Sequence, residues 1–216
     1  MRRLTLPVIF AVILILSCKR IKHPQHQVTH KVIALQKPIH QQMHDTVLLV
    51  SMAFGETNLQ SILGDRIASF YHLPVKYINA PLPDFSYYRE RNRYRADSLL
   101  KYLSAFNNAS TYKFVCGLTS KDISATNGNI ADWGVCGLGA LDGSACVISS
   151  FRLKWHQVTH SLTERLQKVI LHELGHNYGL QHCTSSYPCL MKAAKGKVSE
   201  IDGEPMDMCK VCRSKH

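Results

Sequence analysis

The stretch HELGHNYGLQHC, His172 to Cys183, spaces its histidines for gripping a metal ion. His172 and His176 stand four residues apart, so on a helix their imidazoles project from one face and reach one ion together, while Glu173 sits beside that pair and does not join it. A third histidine, His182, lies six residues past His176. On a continuing helix that would be ~9 Å further up the axis, far outside a zinc–nitrogen bond of ~2 Å. The helix must therefore stop and the chain must return. Gly179 between them is the residue type that ends a helix in a left-handed turn without a Cβ clash. Three neutral imidazoles leave a fourth tetrahedral position open for water, the arrangement of catalytic rather than structural zinc. Two surface histidines on an ordinary helix would also satisfy H-E-x-x-H; the glycine and third histidine in register favour the metal.

Working upstream, Ser161-Leu162-Thr163-Glu164 is a capping box that starts the zinc helix at Leu162. Leu162, Leu166, Val169, Ile170 and Leu174 form the apolar stripe that would seat this helix on a sheet. The nearly continuous apolar run Thr46 to Phe54 has the pattern of a strand buried on both faces. Leu59, Ile62, Leu63, Ile67 and Phe70 then recur at helical spacing up to Tyr71, and a strand follows at Val75 to Asn79. After a Pro- and Tyr-rich loop, Ala96, Leu99, Leu100, Leu103 and Phe106 mark a second amphipathic helix closed by Asn107 and Asn108, and Tyr112 to Gly117 reads as a third strand. This order predicts an α/β fold with a mostly parallel sheet and right-handed crossovers. Thr119 to Trp133 is polar and reads as a surface loop. Gly134 to Leu138 and Ala145 to Phe151, joined through Asp142-Gly143, read as a hairpin that makes the sheet mixed with an antiparallel edge strand. Such an edge can pair with an extended peptide, although a core hairpin without a ligand fits the same residues.

At 216 residues and 45% hydrophobic content the chain can bury a sizeable core, which excludes disorder throughout. The net charge of +11 comes from 26 basic and 15 acidic residues scattered along the chain, with no recognised nucleic-acid motif, and reads as solvation. At the N-terminus, Arg2 and Arg3 precede an apolar run from Leu4 to Leu16, which is short for a membrane span and fits an export signal. Its end, Ile15-Leu16-Ser17-Cys18, resembles the lipobox of bacterial lipoproteins. Residues 1–18 are thus expected to be a signal peptide, with Cys18 the lipid anchor of an exported, membrane-attached protein; a soluble secreted protein or an uncleaved signal anchor is the alternative. Residues 19–45, rich in Lys, Gln and His, read as a tether in which His23, His26, His30, His40 and His44 are either solvated or loosely metal-binding. The folded domain spans 46–216.

Downstream of His182 come Cys183, Cys189, Met191, Cys209 and Cys212. Cys209 and Cys212 form a C-x-x-C chelate that Cys183 and Cys189 could complete as a four-thiolate zinc site; two disulfides compete with that reading in an exported protein. Of the remaining cysteines, Cys136 and Cys146 could bridge the hairpin, or Cys116, Cys136 and Cys146 could all be buried thiols. Taken together, HELGHNYGLQHC, Cys189-Leu190-Met191 and Cys209-Lys210-Val211-Cys212 resemble the signature of the archaemetzincins, a branch of the metzincin zinc peptidases. The resemblance implies a metzincin-like fold and a peptidase, aminopeptidase or endopeptidase, that hydrolyses peptide or protein substrates as a monomer. It implies two Zn²⁺ per chain: a catalytic one on His172, His176 and His182, and a structural one on Cys183, Cys189, Cys209 and Cys212. It also makes Glu173 the general base and Met191 the Met-turn methionine under the metal. The rival from another class is a zinc- or peptide-binding lipoprotein without turnover. Glu173, which metal binding does not require, argues against it.

Overall fold

The computed structural model describes residues 44–155 and 160–215. The leader, Cys18 and the tether histidines His23, His26, His30 and His40 lie outside the described residues. Strand β1 (Val47–Ser51), helix α1 (Thr57–Tyr71) and strand β2 (Val75–Asn79) fall where the apolar pattern predicts them. Within α1, Ile62 departs from the predicted stripe and is 41% exposed. The Pro- and Tyr-rich segment holds two short strands, β3 (Tyr87–Tyr88) and β4 (Arg93–Arg95), and leads into α2 (Ala96–Ser104). The third predicted strand is β5 (Phe114–Thr119), two residues later than expected at each end.

Thr119 to Trp133 is not the surface loop its polarity predicts. It contains β6 (Ile123–Asn127) and most of β7 (Ile130–Val135), an antiparallel hairpin that turns at Gly128, whose φ is +56°. Two acidic residues of this stretch, Asp122 just before β6 and Asp132 within β7, are held by charge. Asp122 accepts from Arg152 at 2.8 and 3.1 Å and pairs with Arg93 at 3.2 Å, while Asp132 pairs with Arg91 at 3.2 Å and with Arg93 at 3.3 Å. Ile123 and Ala125 face the core between them. Ion pairs that reach from β4 and the turns at Arg91 and Arg152 to Asp122 and Asp132 thus accompany this hairpin in place of an alternating apolar pattern.

The run Gly134 to Leu138 is likewise split between the end of β7 and β8 (Gly137–Gly139). β8 pairs antiparallel with β9 (Ala145–Ser149), as the hairpin signal predicts. Two sheets result. The larger has the order β2-β1-β5-β9-β8, with β2, β1, β5 and β9 parallel and β8 the antiparallel edge; the smaller has the order β3-β4-β6-β7. The remaining helices are α3 (Leu162–Asn177), α4 (Val198–Gly203) and the short α5 (Lys210–Arg213).

The central strands β1, β5 and β9 of the larger sheet are covered on both faces, which explains their unbroken apolar runs, whereas β2 is half exposed. Successive side chains of β1 alternate: Val47 and Leu49 join the core under α1, α3 and the C-terminal segment, while Leu48 and Val50 join the core formed with α2, β6 and Val147. Helix α3 begins at Leu162 because Ser161 Oγ accepts from the Glu164 N–H at 3.1 Å. It lies on one face of β9 and β8, and Tyr71 Oη from α1 donates to the Leu171 carbonyl at 2.6 Å, locking the two helices together.

Candidate active site

The three candidate ligand histidines sit at the C-terminal end of α3 and just beyond it. His172 and His176 share one face, with their Nε2 atoms 3.1 Å apart. After Tyr178 the chain reverses at Gly179, where φ is +80°, and His182 returns to the same point. Its ring centroid lies 4.9 Å from that of His176 and 5.4 Å from that of His172. The turn predicted from spacing alone therefore forms at the glycine.

Two backbone carbonyls aim the rings. His172 Nδ1 lies 2.8 Å from the Leu190 carbonyl and His176 Nδ1 lies 2.7 Å from that of Leu180. A carbonyl can only accept, so each Nδ1 carries the proton and each Nε2 presents a lone pair towards its neighbour. Two imidazole nitrogens converging with lone pairs repel unless a cation lies between them, and about 3.3 Å is the separation of two nitrogens bound tetrahedrally at ~2.0–2.1 Å. The three residues therefore fit zinc. Burial, followed by the neighbouring His176, pushes His172 down to about 3, and burial also lowers His176 and His182, so all three are neutral at physiological pH, the form that binds metal.

Glu173 points off the ligand face towards the edge strand. A Cβ on Gly137 would come within 2.6 Å of Glu173 Oε1, and one on Gly139 within 2.4 Å of the Glu173 carbonyl oxygen, so β8 is glycine where α3 passes closest. Burial raises the Glu173 carboxyl to about 8, against a hydrogen bond from the Gly139 N–H that favours the charged form. A dication held by the histidines would favour the charged carboxylate and lower that value. Asn177 ties the same strand to the helix by donating to the Ala140 and Ala145 carbonyls at 2.9 and 2.8 Å. Glu173 and the three histidines border a cleft of about 740 Å³, whose other walls include Ala125, Asn127 and Trp133 of the β6–β7 hairpin, the 193–196 segment and Glu204. None of those walls is legible as part of the site from its local pattern; the hairpin was recoverable from Asn127-Gly128, a turn signal that serves strands as well as loops.

The C-terminal cysteines gather beside this site. Cys183, Cys189, Cys209 and Cys212 bring their sulfurs within 4.8 Å of one another. Cys183 Sγ and Cys209 Sγ are 3.8 Å apart, too far for a disulfide but about the separation of two thiolates held tetrahedrally at ~2.3 Å from zinc. No disulfide links any of the seven described cysteines, and the clustering of the four tail sulfurs suits a shared metal better than two bridges. The strand register tells against the Cys136–Cys146 bridge: the residue opposite Cys146 on β8 is Gly139, and Cys146 instead neighbours Cys116 across the parallel pair. A backbone hydrogen bond from Cys212 lowers the Cys209 thiol to about 6, while burial raises Cys212.

Met191 is fully buried, packed so closely on the zinc helix that a Cβ on Gly175 would meet its Sδ at 2.5 Å. Its carbonyl accepts from the Cys183 N–H at 2.7 Å. One short segment thus connects His182, the cysteine cluster, Met191 and the Leu190 carbonyl that aims His172.

Residues 68–216 match Peptidase family M54. The chain is 33% identical over 157 residues to the archaemetzincin of Archaeoglobus fulgidus, an alignment covering 71% of this chain and 88% of the relative. It is 34% identical over 138 residues to the archaemetzincin of Methanopyrus kandleri, covering 64% and 74%. Among solved structures, the Archaeoglobus fulgidus archaemetzincin complexed with malonate is similar with a TM-score of 0.66 at 26% identity, over 79% of this chain and 99% of that one. The Methanopyrus kandleri archaemetzincin gives 0.66 at 27% identity, over 79% and 93%. With its histidine triad, mixed sheet and cysteine-rich tail already in place, the chain belongs to Peptidase family M54, the archaemetzincins, and is a zinc-dependent peptidase.

Proposed function

We propose that His172, His176 and His182 hold the catalytic zinc and that Glu173 is the general base of peptide-bond hydrolysis. In the same reading Cys183, Cys189, Cys209 and Cys212 hold a second, structural zinc, and Met191 is the Met-turn residue. The observation that carries this is the convergence of three neutral imidazoles beside a buried carboxyl that lies off the ligand face. Bound zinc supplies Lewis acidity to the scissile carbonyl and makes water a nucleophile near neutral pH. Glu173 accepts the proton of the attacking water and delivers it to the leaving amine. Its seat between α3 and β8 keeps bulk water away and fixes the carboxylate, while the free edge of β8 offers backbone groups for an extended peptide.

A peptide-library digest with the full chain tests the assignment, comparing wild type with Glu173→Gln. Glu173→Gln should keep its fold and both zincs while losing cleavage by at least about a hundredfold, in line with the loss of a positioned base. Cleavage at the wild-type rate would sink the role of Glu173, and a zinc content other than two per chain would sink the two-metal reading.

The residues upstream carry a separate part of the proposal. Arg2-Arg3, the apolar run and Ser17-Cys18 support export and attachment to the membrane through a lipid on Cys18, with the tether to residue 45 holding a monomeric peptidase domain on the exported side. Among the described residues no helix is long and apolar enough to cross a membrane. Cys18→Ala should release the protein from the membrane fraction; unchanged membrane retention would refute the anchor.

A further inference from the structure

One carboxyl in the cleft is not used by the chemistry above. Glu204 caps the C-terminus of α4 and lines the same cleft as His172 and Glu173. It is half-buried, and its position is rigid for reasons read off its neighbours. Arg165 of α3 grips Asp202 with two bonds of 2.7 Å, and Lys168 Nζ donates to the Ile201 and Asp202 carbonyls at 3.2 and 3.0 Å. The third Lys168 proton goes to Glu164 at 3.1 Å. That ammonium is therefore saturated and acts on Glu204 only through space.

Among the described residues no cation forms an ion pair with Glu204, in contrast to its neighbours Glu164, Glu200 and Asp202, which are all paired. Lys195, the other ammonium of the cleft, is exposed and unpaired with it. Burial, reinforced by Glu200 and opposed by Lys168, raises the Glu204 carboxyl to about 8, as befits a carboxylate lacking a counter-charge. The same cleft carries apolar wall at Val169, Ile201 and Ala194. A methylene chain ending in a cation satisfies both parts of such a pocket, because its stem packs on apolar wall while its head meets the carboxylate.

We propose that Glu204 is a specificity residue that receives the cationic head of a lysine or arginine side chain of the bound peptide. The proposal deepens the reading of this cleft as the peptide site and rests on it. Peptide hydrolysis alone requires no charge at this point, so the consequence is selection among peptides rather than turnover itself.

The test offers full-length, zinc-loaded protein pairs of quenched-fluorescent peptides that carry either lysine or its neutral analogue norleucine at successive positions on both sides of the cleaved bond. The ratio of kcat/KM for lysine over norleucine is taken for wild type, Glu204→Gln and Glu204→Lys, each verified for zinc content and thermal melting. At one position the wild-type ratio should be on the order of tenfold, the worth of a partly buried ion pair. It should fall to near unity in Glu204→Gln and below unity in Glu204→Lys. Equal ratios in all three proteins, or a wild type indifferent to lysine at every position, overturn the proposal. Fluorescence anisotropy with the same peptides, on Glu173→Gln with and without Glu204→Gln, separates this from failure of the peptidase assignment. Lysine peptides that bind no tighter than norleucine peptides overturn the role of Glu204. Glu204-dependent binding without cleavage by wild type upholds Glu204 and overturns the role of Glu173.

Discussion

Asp202→Asn should be among the most damaging single-atom-scale changes outside the metal sites. Its partner Arg165 is only 1% exposed and spends its guanidinium on both Asp202 oxygens, at 2.7 Å each, and on the Leu153 and Trp155 carbonyls at 2.8 and 2.6 Å. Removing the negative charge leaves a buried cation that has lost the carboxylate it grips with two bonds. Breaking a buried pair costs about 3–5 kcal/mol; Asp202 is itself 17% exposed and asparagine keeps one acceptor, which reduces the expected loss to about 2–4 kcal/mol. For a domain of this size that lowers Tm by roughly 5–15 °C. Circular dichroism melts at pH 7 measure it, and the double variant Arg165→Met/Asp202→Leu should recover to within about 1 kcal/mol of wild type, since no uncompensated charge remains. A Tm for Asp202→Asn within 1 °C of wild type, or a double variant as unstable as the single one, would refute the reasoning. The pH dependence carries a sign. Arg165 holds the Asp202 carboxyl below its ordinary value of 3.8, so the pair's contribution is fully present above that value and is lost as pH falls through the lower, folded one. The gap between wild type and Asp202→Asn should therefore be constant near neutrality and close only below about pH 4.

Gly175→Ala places a methyl group 2.5 Å from Met191 Sδ, with Met208 Cε also at 3.2 Å, and should cost about 1–3 kcal/mol by overpacking. Because the Leu190 carbonyl beside Met191 aims His172, the same variant should also lose zinc affinity at the histidine site, measured by competition with a chelator; a destabilised protein with wild-type affinity would separate Met191 from the metal. Cys209→Ser should weaken zinc binding at the histidines as well as at the cysteines, because the Cys183 N–H to Met191 carbonyl bond joins the two sites through the residue next to His182. A folded Cys209→Ser protein with unchanged affinity for the first zinc would count against that coupling.

What the sequence by itself determined is whatever depends on spacing within one element. The start of α3 at Leu162, the pairing of His172 with His176, the reversal at Gly179 and the grouping of His182 with them all follow from helix geometry and one glycine, so they were legible without any knowledge of neighbours. The central parallel strands β1 and β5 were legible for a similar reason, because burial on both faces writes itself as a continuous apolar run. The β6–β7 hairpin was signalled only by its Asn127-Gly128 turn, since Asp122 and Asp132 have a polarity that says loop until Arg93 and Arg152 are seen to reach them from other parts of the fold. Only the tertiary structure decided which carbonyls aim the imidazoles, that the Gly139 N–H meets Glu173, that the four tail cysteines meet, and that Glu204 faces the cleft unpaired. Those contacts join residues far apart along the chain, and their direction is set by how α3, α4 and the edge strand pack, a property that no local period or spacing encodes.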